Sequence, residues 1–289
     1  MTDFILDYEL TIRLTAFFTI FAVMASWEVV RPCRQQRFTR GQRWLSNLGI
    51  TLLNTLLLRL LFPTAAVGFA AFAEIKGWGL LNEIQLPFWL SVIIAVTLMD
   101  MIIYLQHVMV HAVPALWRLH RVHHADPDYD LTTGARFHPI EILLSMLIKI
   151  ATIAALGPPV VAVLIFEVIL NGMAMFNHGN VSLPKPLDRL LRWLLVTPDM
   201  HRVHHSVIPG ETNSNFGFNL SIWDRLMGTY RVAPKLGHIG MQIGVNSLQD
   251  PQLTTKLSGM LRIPFLKNTE GGDDYNVQDR SWPGQGDNL

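Results

Sequence analysis

The sequence has few charged residues for its length. Asp, Glu, Lys and Arg make up 16% of its 289 residues, whereas soluble domains carry about 25%. A chain this poor in charge has too few polar side chains to cover a surface that faces water on every side. Half of the residues are hydrophobic, and this composition predicts an integral membrane protein.

Cysteine is almost absent. The single residue, Cys33, excludes an internal disulfide and a metal site built from cysteine ligands. The net charge of +1 is too small to indicate a nucleic acid partner. Asp3, Asp7 and Glu9 occur where a signal peptide would carry basic residues, so we expect no signal peptide.

Several apolar runs approach the length that crosses a bilayer, which is about 17 to 25 residues for a helix. They cover residues 14–30, 44–72 with a break at Pro63, 88–110, 142–156 and 160–176. Gly157, Pro158 and Pro159 separate the last two and predict a turn, so these runs should form an antiparallel helical hairpin. The sequence predicts an all-α integral membrane fold with four to five transmembrane or re-entrant helices.

The loop after the first run is basic and carries no acidic residue. Its arginines are Arg31, Arg34, Arg37, Arg40 and Arg43. By the positive-inside rule this loop lies in the cytoplasm, which places the N-terminus outside. If the second run crosses once, with a kink at Pro63, the third run brings its C-terminal end back to the cytoplasmic side. We therefore expect a helical cap on that side.

Two ionisable residues occur inside the hairpin. Lys149 and Glu167 are equally far from Pro158, so they should face each other. Ionisable residues at membrane depth are candidates for function. A mutually neutralising structural pair is the interpretation we favour.

Histidine is concentrated in three groups. They are His107 with His111, then His120, His123 and His124, then His201, His204 and His205, and the last two groups share the pattern HRVHH. Residues three and four apart lie on one face of a helix, so each group presents its imidazoles in one direction. Isolated core or surface histidines would not recur at this spacing, and we interpret the groups as metal ligands.

The sequence contains more candidate histidine ligands than one metal ion binds. A structural zinc has four ligands, whereas these groups, with His138 and His178, offer eight to ten. Two ions of the imidazole-binding metals Zn, Cu, Fe or Ni would suit them better. Iron that activates dioxygen against lipid C–H bonds is the first hypothesis. A zinc hydrolase would leave most imidazoles unused, and a metal transporter would place its ligands near the bilayer midplane.

The order of these groups resembles the histidine boxes of the fatty acid hydroxylase/sterol desaturase superfamily, which comprises integral-membrane di-iron oxygenases. The likeness covers about residues 45–230, and its specificity comes from the combined pattern rather than from one HxxHH. Besides the boxes it includes residues 100–104, 117–120, 136–141, 178–180, 215–217, 223–224 and 228–230.

The resemblance implies a set of iron ligands. These are His107, His111, His120, His123, His124, His178, His201, His204 and His205. His138 is a further candidate that would equally shape the start of the hairpin. Asp100 lies two helical turns before His107 and is the predicted carboxylate partner of a ligand ring, with an ion pair to Arg59 as the competing interpretation. Asn180, Asn215 and Asp224 are further candidates for contacts around the ligands.

The resemblance also implies an activity and its partners. It implies O2-dependent hydroxylation of a lipid C–H bond by two Fe ions, with a sterol, fatty acyl chain or ether lipid as substrate. Zinc would be able to replace iron in a purified sample. A lipid desaturase is the alternative within the family, and the His178-Gly179-Asn180 triplet also resembles the branch that cleaves glyceryl ethers.

No cytochrome b5-like domain is recognisable in the sequence. We therefore expect a separate electron donor of the ferredoxin, rubredoxin or cytochrome b5 type, with its reductase, to dock on the basic loops. Residues 1–266 are expected to form one membrane-embedded domain with its catalytic core at about 88–230. Residues 253–266 are expected to lie on the membrane surface, and 267–289 to form a flexible tail.

Overall fold

The structure is a computed structural model that describes residues 2–84 and 86–266. Within these ranges the chain is helical, and isolated β-bridges occur instead of a sheet. The predicted all-α fold is therefore confirmed for the described residues. The predicted flexible tail, 267–289, lies outside them.

Fifteen α-helices are assigned in the described ranges. They are α1 Thr2–Val30, α2 Arg40–Leu61, α3 Ala65–Lys76, α4 Leu80–Glu83, α5 Phe88–Ala112, α6 Pro114–His124, α7 Pro139–Leu156, α8 Val160–Asn177, α9 Lys185–Leu191, α10 Pro198–His204, α11 Pro209–Thr212, α12 Ile222–Leu226, α13 Gly237–Gly240, α14 Pro251–Thr254 and α15 Leu257–Arg262. Short 3-10 helices occupy Thr133–Ala135 and Ile263–Phe265.

Five segments of the described chain are long and apolar enough to cross a membrane. They are Thr2–Val30, Arg40–Glu83, Phe88–Ala112, Pro139–Leu156 and Val160–Asn177. Large apolar side chains such as Phe18, Leu52 and Leu147 are exposed on these helices, as expected where a protein faces lipid rather than water. The five apolar runs of the sequence correspond to these five segments.

The first helix is longer than the apolar run that predicts it. It begins at Thr2 rather than at residue 14. Charged residues interrupt the apolar run here without ending the helix, because Arg13 pairs with Glu9 one turn earlier, at 2.8 Å. Ion pairs at this spacing stabilise a helix.

The predicted break at Pro63 separates α2 from α3. Proline cannot donate the helical hydrogen bond, and α2 ends at Leu61. The α3 helix then packs against both arms of the hairpin, α7 and α8. It buries small side chains, among them Ala66 and Ala70, which allow close approach of the helices. This packing forms the centre of the largest apolar core.

The hairpin formed by α7 and α8 turns where the sequence predicts it. Gly157 ends α7 with a φ of +64°, a conformation that glycine adopts without strain. A side chain at this position would also collide with the backbone carbonyl of Trp78, which lies 2.4 Å from an ideal Cβ. The turn therefore needs glycine for two independent reasons.

The pairing of Lys149 with Glu167 is confirmed, at 2.6 Å between Nζ and Oε1. The sequence analysis missed a second cation at this carboxylate, because it comes from a distant helix. Arg13 of α1 lies 2.7 Å from Oε2 of Glu167. Both carboxylate oxygens are thus paired, and α1 is tied to the hairpin.

A buried ion network joins the loop after α6 to the membrane helix α2. Arg43 of α2 contacts Asp126 at 2.8 Å and Asp130 at 2.6 Å, and all three side chains are inaccessible to solvent. Asp126 and Asp130 follow directly after α6, so the network fixes the end of the second histidine group. Arginine and carboxylate groups in this geometry satisfy each other's hydrogen-bonding capacity.

The expectation that residues 253–266 lie on the membrane surface is not what the structure shows. Met260 and Ile263 are fully buried and pack in one cluster with Ile50 and Trp117. Arg118 of α6 donates hydrogen bonds to the backbone carbonyls at the end of this segment. The apolar residues of the segment therefore cover α2 and α6.

We predict that removal of the Glu167 carboxylate destabilises the protein more than removal of the Lys149 amino group. Glu167→Gln leaves Lys149 without its carboxylate partner and Arg13 with Glu9 alone, and it should lower the free energy of unfolding by about 3–5 kcal/mol. Lys149→Met is the matched control, because Glu167 remains paired with Arg13, and its loss should be clearly smaller. Thermal unfolding in detergent measures both; equal losses would contradict this account of the cluster.

Candidate metal centre

Nine histidines from four separate segments form one buried cluster. Each is at most 6% exposed, and they separate into two groups by the positions of their ring nitrogens. The first group is His107, His111, His120, His124 and His204, and the second group is His123, His178, His201 and His205. Within each group the candidate ligand atoms lie within 4.8 Å of one another.

The two HRVHH segments face each other across the cluster. The His124 and His205 rings stack at 4.5 Å with 19° between their planes. Each segment also contributes to both groups: the two histidines four residues apart share one group, and the histidine between them belongs to the other. The convergence of these segments agrees with the expectation from their spacing.

The third histidine segment depends on a local helix-start signal. Pro198 begins α10, and the Thr197 hydroxyl accepts a hydrogen bond from the backbone N–H of Met200 at 3.3 Å. Threonine before a helix and proline in its first position are both favourable at a helix N-terminus. The short helix therefore begins at Pro198, and His201 and His204 both lie on it, about one turn apart.

Backbone carbonyls fix the protonation of three of the rings. The pairs are His107 Nδ1 with Phe216 O at 2.8 Å, His204 Nδ1 with Ser214 O at 2.9 Å, and His178 Nδ1 with Ala174 O at 2.8 Å. A carbonyl oxygen only accepts, so Nδ1 carries the proton in each ring. In the neutral imidazole the lone pair is then on Nε2.

A carboxylate holds a fourth ring. Nδ1 of His120 lies 2.6 Å from Oε1 of Glu141, which is itself buried. A metal-bound histidine commonly donates its second ring N–H to a carboxylate, which increases the basicity of the ligand. The sequence analysis quoted Glu141 within a motif but did not identify it as this partner.

The ring nitrogens that carry lone pairs point toward one another. Nε2 of His178 lies 3.1 Å from Nε2 of both His123 and His201. In the first group, Nε2 of His107 and of His204 has no hydrogen-bond partner among the described residues. Buried acceptors without donors cost about 1–3 kcal/mol each, and a bound cation removes this cost. The residues present therefore fit metal ions.

Burial favours the neutral form of six rings outside the membrane segments. Burial lowers the pKa of His178 and of His204 to about 3. Burial likewise lowers the pKa of His123, His124, His201 and His205 well below the usual 6.5. Neutral imidazole is the form that binds metal, so these ligands need not lose protons first. An all-imidazole donor set suits Zn, Cu, Fe or Ni.

His138 has a structural position outside both groups. Its Nδ1 accepts a hydrogen bond from the backbone N–H of Ile140 at 3.3 Å and caps the N-terminus of α7. Its ring lies 6.0 Å from that of Phe265. Of the two interpretations from the sequence, the structure favours the one in which His138 shapes the start of the hairpin.

The predicted contact of Asp100 is corrected by the structure. Its Oδ2 accepts hydrogen bonds from the indole N–H of Trp223 at 2.8 Å and the backbone N–H of Leu220 at 3.2 Å. These bonds replace both of the predicted ones, to the His107 ring and to Arg59. Asp100 acts on the loop after the third histidine group, because that loop is the nearest source of N–H donors.

Asp224 contacts the loop that holds a histidine ring rather than the ring itself. It accepts hydrogen bonds from the backbone N–H groups of Phe216 at 2.7 Å and Gly217 at 2.8 Å. The Phe216 carbonyl in turn accepts from the His107 ring. A side chain at residue 217 would collide with the Asp224 carboxylate, 2.5 Å from an ideal Cβ, so the loop requires glycine here.

The two asparagines also bind backbone groups rather than histidine rings. Asn180 pairs with the backbone of Arg34 through both ends of its amide. Asn215 donates to the carbonyls of Met200 and Arg231. The predicted contacts with the ligands are therefore replaced by contacts that join the loops around them.

A cavity of about 280 Å³ lies between the histidines and the apolar helices. His107, His120 and His123 line one part of it, and Lys149 and Glu167 line another. The lining from α7 includes both Glu141 and Lys149, which are eight residues or about 12 Å apart along that helix. The cavity thus extends from the metal centre toward the buried ion cluster.

Comparison with known proteins gives a consistent set of relatives. Residues 92–229 match the family model described as fatty acid hydroxylase, and this range contains all nine histidines of the centre. No solved structure is significantly similar to the chain.

The curated relatives are named as enzymes that act on lipids. The chain is 31% identical to ornithine lipid hydroxylase OlsE of Rhizobium tropici, over 52% of this chain and 45% of that protein. It is 31% identical to alkylglycerol monooxygenase of Xenopus tropicalis (66% and 42%) and 28% identical to cholesterol 25-hydroxylase of Rattus norvegicus (50% and 47%). The chain spans less than half the length of each.

We predict that Glu141→Gln weakens metal binding without abolishing folding. Loss of the charged partner of His120 should lower metal affinity by about 10–100-fold, as measured by chelator competition with metal analysis of the purified protein. Glu211→Gln is the matched control, because Glu211 is equally buried but accepts from the backbone of Lys235. Equal affinities of the two variants would remove Glu141 from the centre.

Proposed function

Because this chain belongs, through residues 92–229, to the fatty acid hydroxylase family, we propose that it is a membrane-bound di-iron enzyme that hydroxylates a lipid with O2. The observation that carries the proposal is the pair of buried histidine groups with converging lone pairs. Two iron ions, when bound by these groups, would supply the activation of oxygen. Zinc is the metal we expect to replace iron in a purified sample.

The cavity residues hold and orient the lipid in this proposal. Apolar side chains such as Ile103, Val110 and Leu170 line the cavity and suit a hydrocarbon chain. Thr55 lines it as well and is exposed on the membrane-facing surface of α2, so a lipid enters sideways from the bilayer. The bound lipid then excludes water from the centre while one carbon lies against the histidines.

Hydroxylation is favoured over hydrolysis by the number of histidines. A zinc hydrolase needs about three protein ligands beside an open metal position, whereas nine buried imidazoles form two groups here. The relatives are named as hydroxylases or monooxygenases of lipids. Desaturation would use the same residues and remains the alternative within the family.

The proposed reaction predicts incorporation of labelled oxygen into a lipid. Iron-loaded protein in nanodiscs made from the host's lipid extract, supplied with 18O2, a ferredoxin, its reductase and NADPH as electron source, should add one 18O atom to one lipid class and release the other as water. His204→Ala should reduce product at least about 100-fold, because a lost ligand leaves the first group incomplete. Lipid mass spectrometry measures the product. Loss of two hydrogens without 18O would identify a desaturase, and no change in any lipid would contradict both activities.

We place the electron donor on the basic loop between α1 and α2, on the cytoplasmic side. Arg31 and Arg37 are exposed in this loop, and a polar cavity of about 240 Å³ lies beside it. Tyr129 lines that cavity, and its ring lies 5.1 Å from the ring of His205. An acidic donor of the ferredoxin, rubredoxin or cytochrome b5 type would dock here by charge complementarity.

Membrane vesicles of known orientation test the donor and the side together. A soluble acidic donor should support oxidation only in inside-out vesicles, at a rate that falls with salt because screening weakens the encounter. Arg31→Glu should raise the KM for the donor several-fold, and Lys76→Glu, at the other end of the α2–α3 segment, should not. Activity restricted to right-side-out vesicles, or equal KM values for both variants, would contradict the placement.

A further inference from the structure

Asn54 of α2 has a buried amide whose orientation is fixed. The side chain is 6% exposed, and its Nδ2 donates a hydrogen bond to the Phe137 carbonyl at 2.9 Å. Because a carbonyl only accepts, the NH2 group must face Phe137 and the amide cannot be flipped. Oδ1 therefore faces away, and in the described part of the chain it has no hydrogen-bond partner.

Asn54, which carries this unpartnered oxygen, lines the lipid cavity near the metal centre. His123 lines the same cavity. The ring of Phe137, whose carbonyl holds the amide, stacks on the His123 ring at 4.5 Å with 8° between the planes. The Asn54 side chain is thus bound to the residue that packs on a histidine of the centre.

A second acceptor lines the same cavity from another helix. Gln106 of α5 precedes the ligand His107, and its Nε2 donates to the Ser145 hydroxyl at 3.2 Å. Its Oε1 is buried and, over the described ranges, likewise without a partner. The amide oxygens of Asn54 and Gln106 thus both lack a donor among the described residues. Only at Asn54 does the partner fix this assignment, because the Ser145 hydroxyl also donates and would serve Oε1 of Gln106 if that amide were turned over.

We propose that the cavity binds a lipid with a hydroxyl or amine donor close to the carbon that reacts, and that Asn54 determines this specificity. The inference rests on the proposed function and narrows its substrate class. Buried acceptors are almost always satisfied, and a donor on the substrate would satisfy Oδ1 of Asn54. Asn54 lies outside the residues that match the family model, so the family likeness does not assign it this role.

The same wall disfavours a free carboxylate or a plain hydrocarbon. Carbonyl oxygens repel a carboxylate, and a hydrocarbon would leave Oδ1 of Asn54 unsatisfied. At the other end of the cavity the cations Arg13 and Lys149 already share Glu167, so they are not available to neutralise an acid. The donor-bearing group is therefore held at the metal end, with the hydrocarbon chain along the apolar wall.

A matched pair of ligands tests this recognition without turnover. The probes are 1-O-hexadecylglycerol and its 2,3-di-O-methyl ether, which share one chain but differ in hydrogen-bond donors. We expect the glycerol to bind metal-loaded protein in detergent about tenfold more tightly, as for one hydrogen bond left unmade. Asn54→Leu should bring the two dissociation constants together. Palmitate should bind more weakly than the glycerol.

Two further variants keep the test decisive. Gln106→Leu should reduce the preference if Asn54→Leu does not fold, because Gln106 presents the second acceptor. Asn82→Leu makes the matched change in α4, outside the cavity, and should retain the preference. Equal binding of both probes by the unaltered protein would mean that water satisfies Asn54, and would overturn the inference. A preference that survives both cavity substitutions would overturn it as well.

The outcomes separate this inference from the proposed function. Binding preference without any lipid oxidation would remove the proposed activity and leave the recognition by Asn54 in place. Lipid oxidation without a preference for the donor-bearing probe would leave the activity and reject the role of Asn54.

Discussion

Removal of nine imidazoles from water is the constraint on which the rest of this structure depends. Burial favours the neutral form of six of them by lowering their pKa values, in His178 and His204 to about 3. Carbonyls and one carboxylate then direct lone pairs inward from four of the rings. Such an arrangement is unfavourable until cations enter it. Metal binding and the stability of the cap are therefore linked.

The remaining parts of the fold hold these rings at the ends of apolar helices. The α5 helix and the hairpin each end at the centre, and the buried network of Arg43 with Asp126 and Asp130 joins the second histidine segment to α2. The same helices enclose a cavity that reaches from His107 toward Lys149. One set of elements thus positions both the metal ligands and the proposed lipid, which is the geometry that membrane-confined chemistry requires.

Much of this was predictable where the information is local. Helical spacing identified the histidine groups, and equal distances from Pro158 identified the pairing of Lys149 with Glu167. The sequence analysis failed where partners come together only through tertiary packing. It assigned Asp100 to His107 from their spacing on one helix, whereas the carboxylate at a ligand ring is Glu141, 21 residues from His120 and on another helix. The contact of Arg13 with Glu167 and the position of Asn54 in the cavity were missed for the same reason. The spacing of apolar residues along one helix does not show which other helices pack against it.

The central claim is that two metal ions bind, one in each histidine group. Diffraction from crystals of iron-loaded protein, recorded on either side of the iron absorption edge, measures this directly because the anomalous signal locates iron alone. The account predicts two peaks, one among the rings that include His107 and His204 and one among those that include His178 and His205. A single peak, or peaks away from these rings, would contradict it.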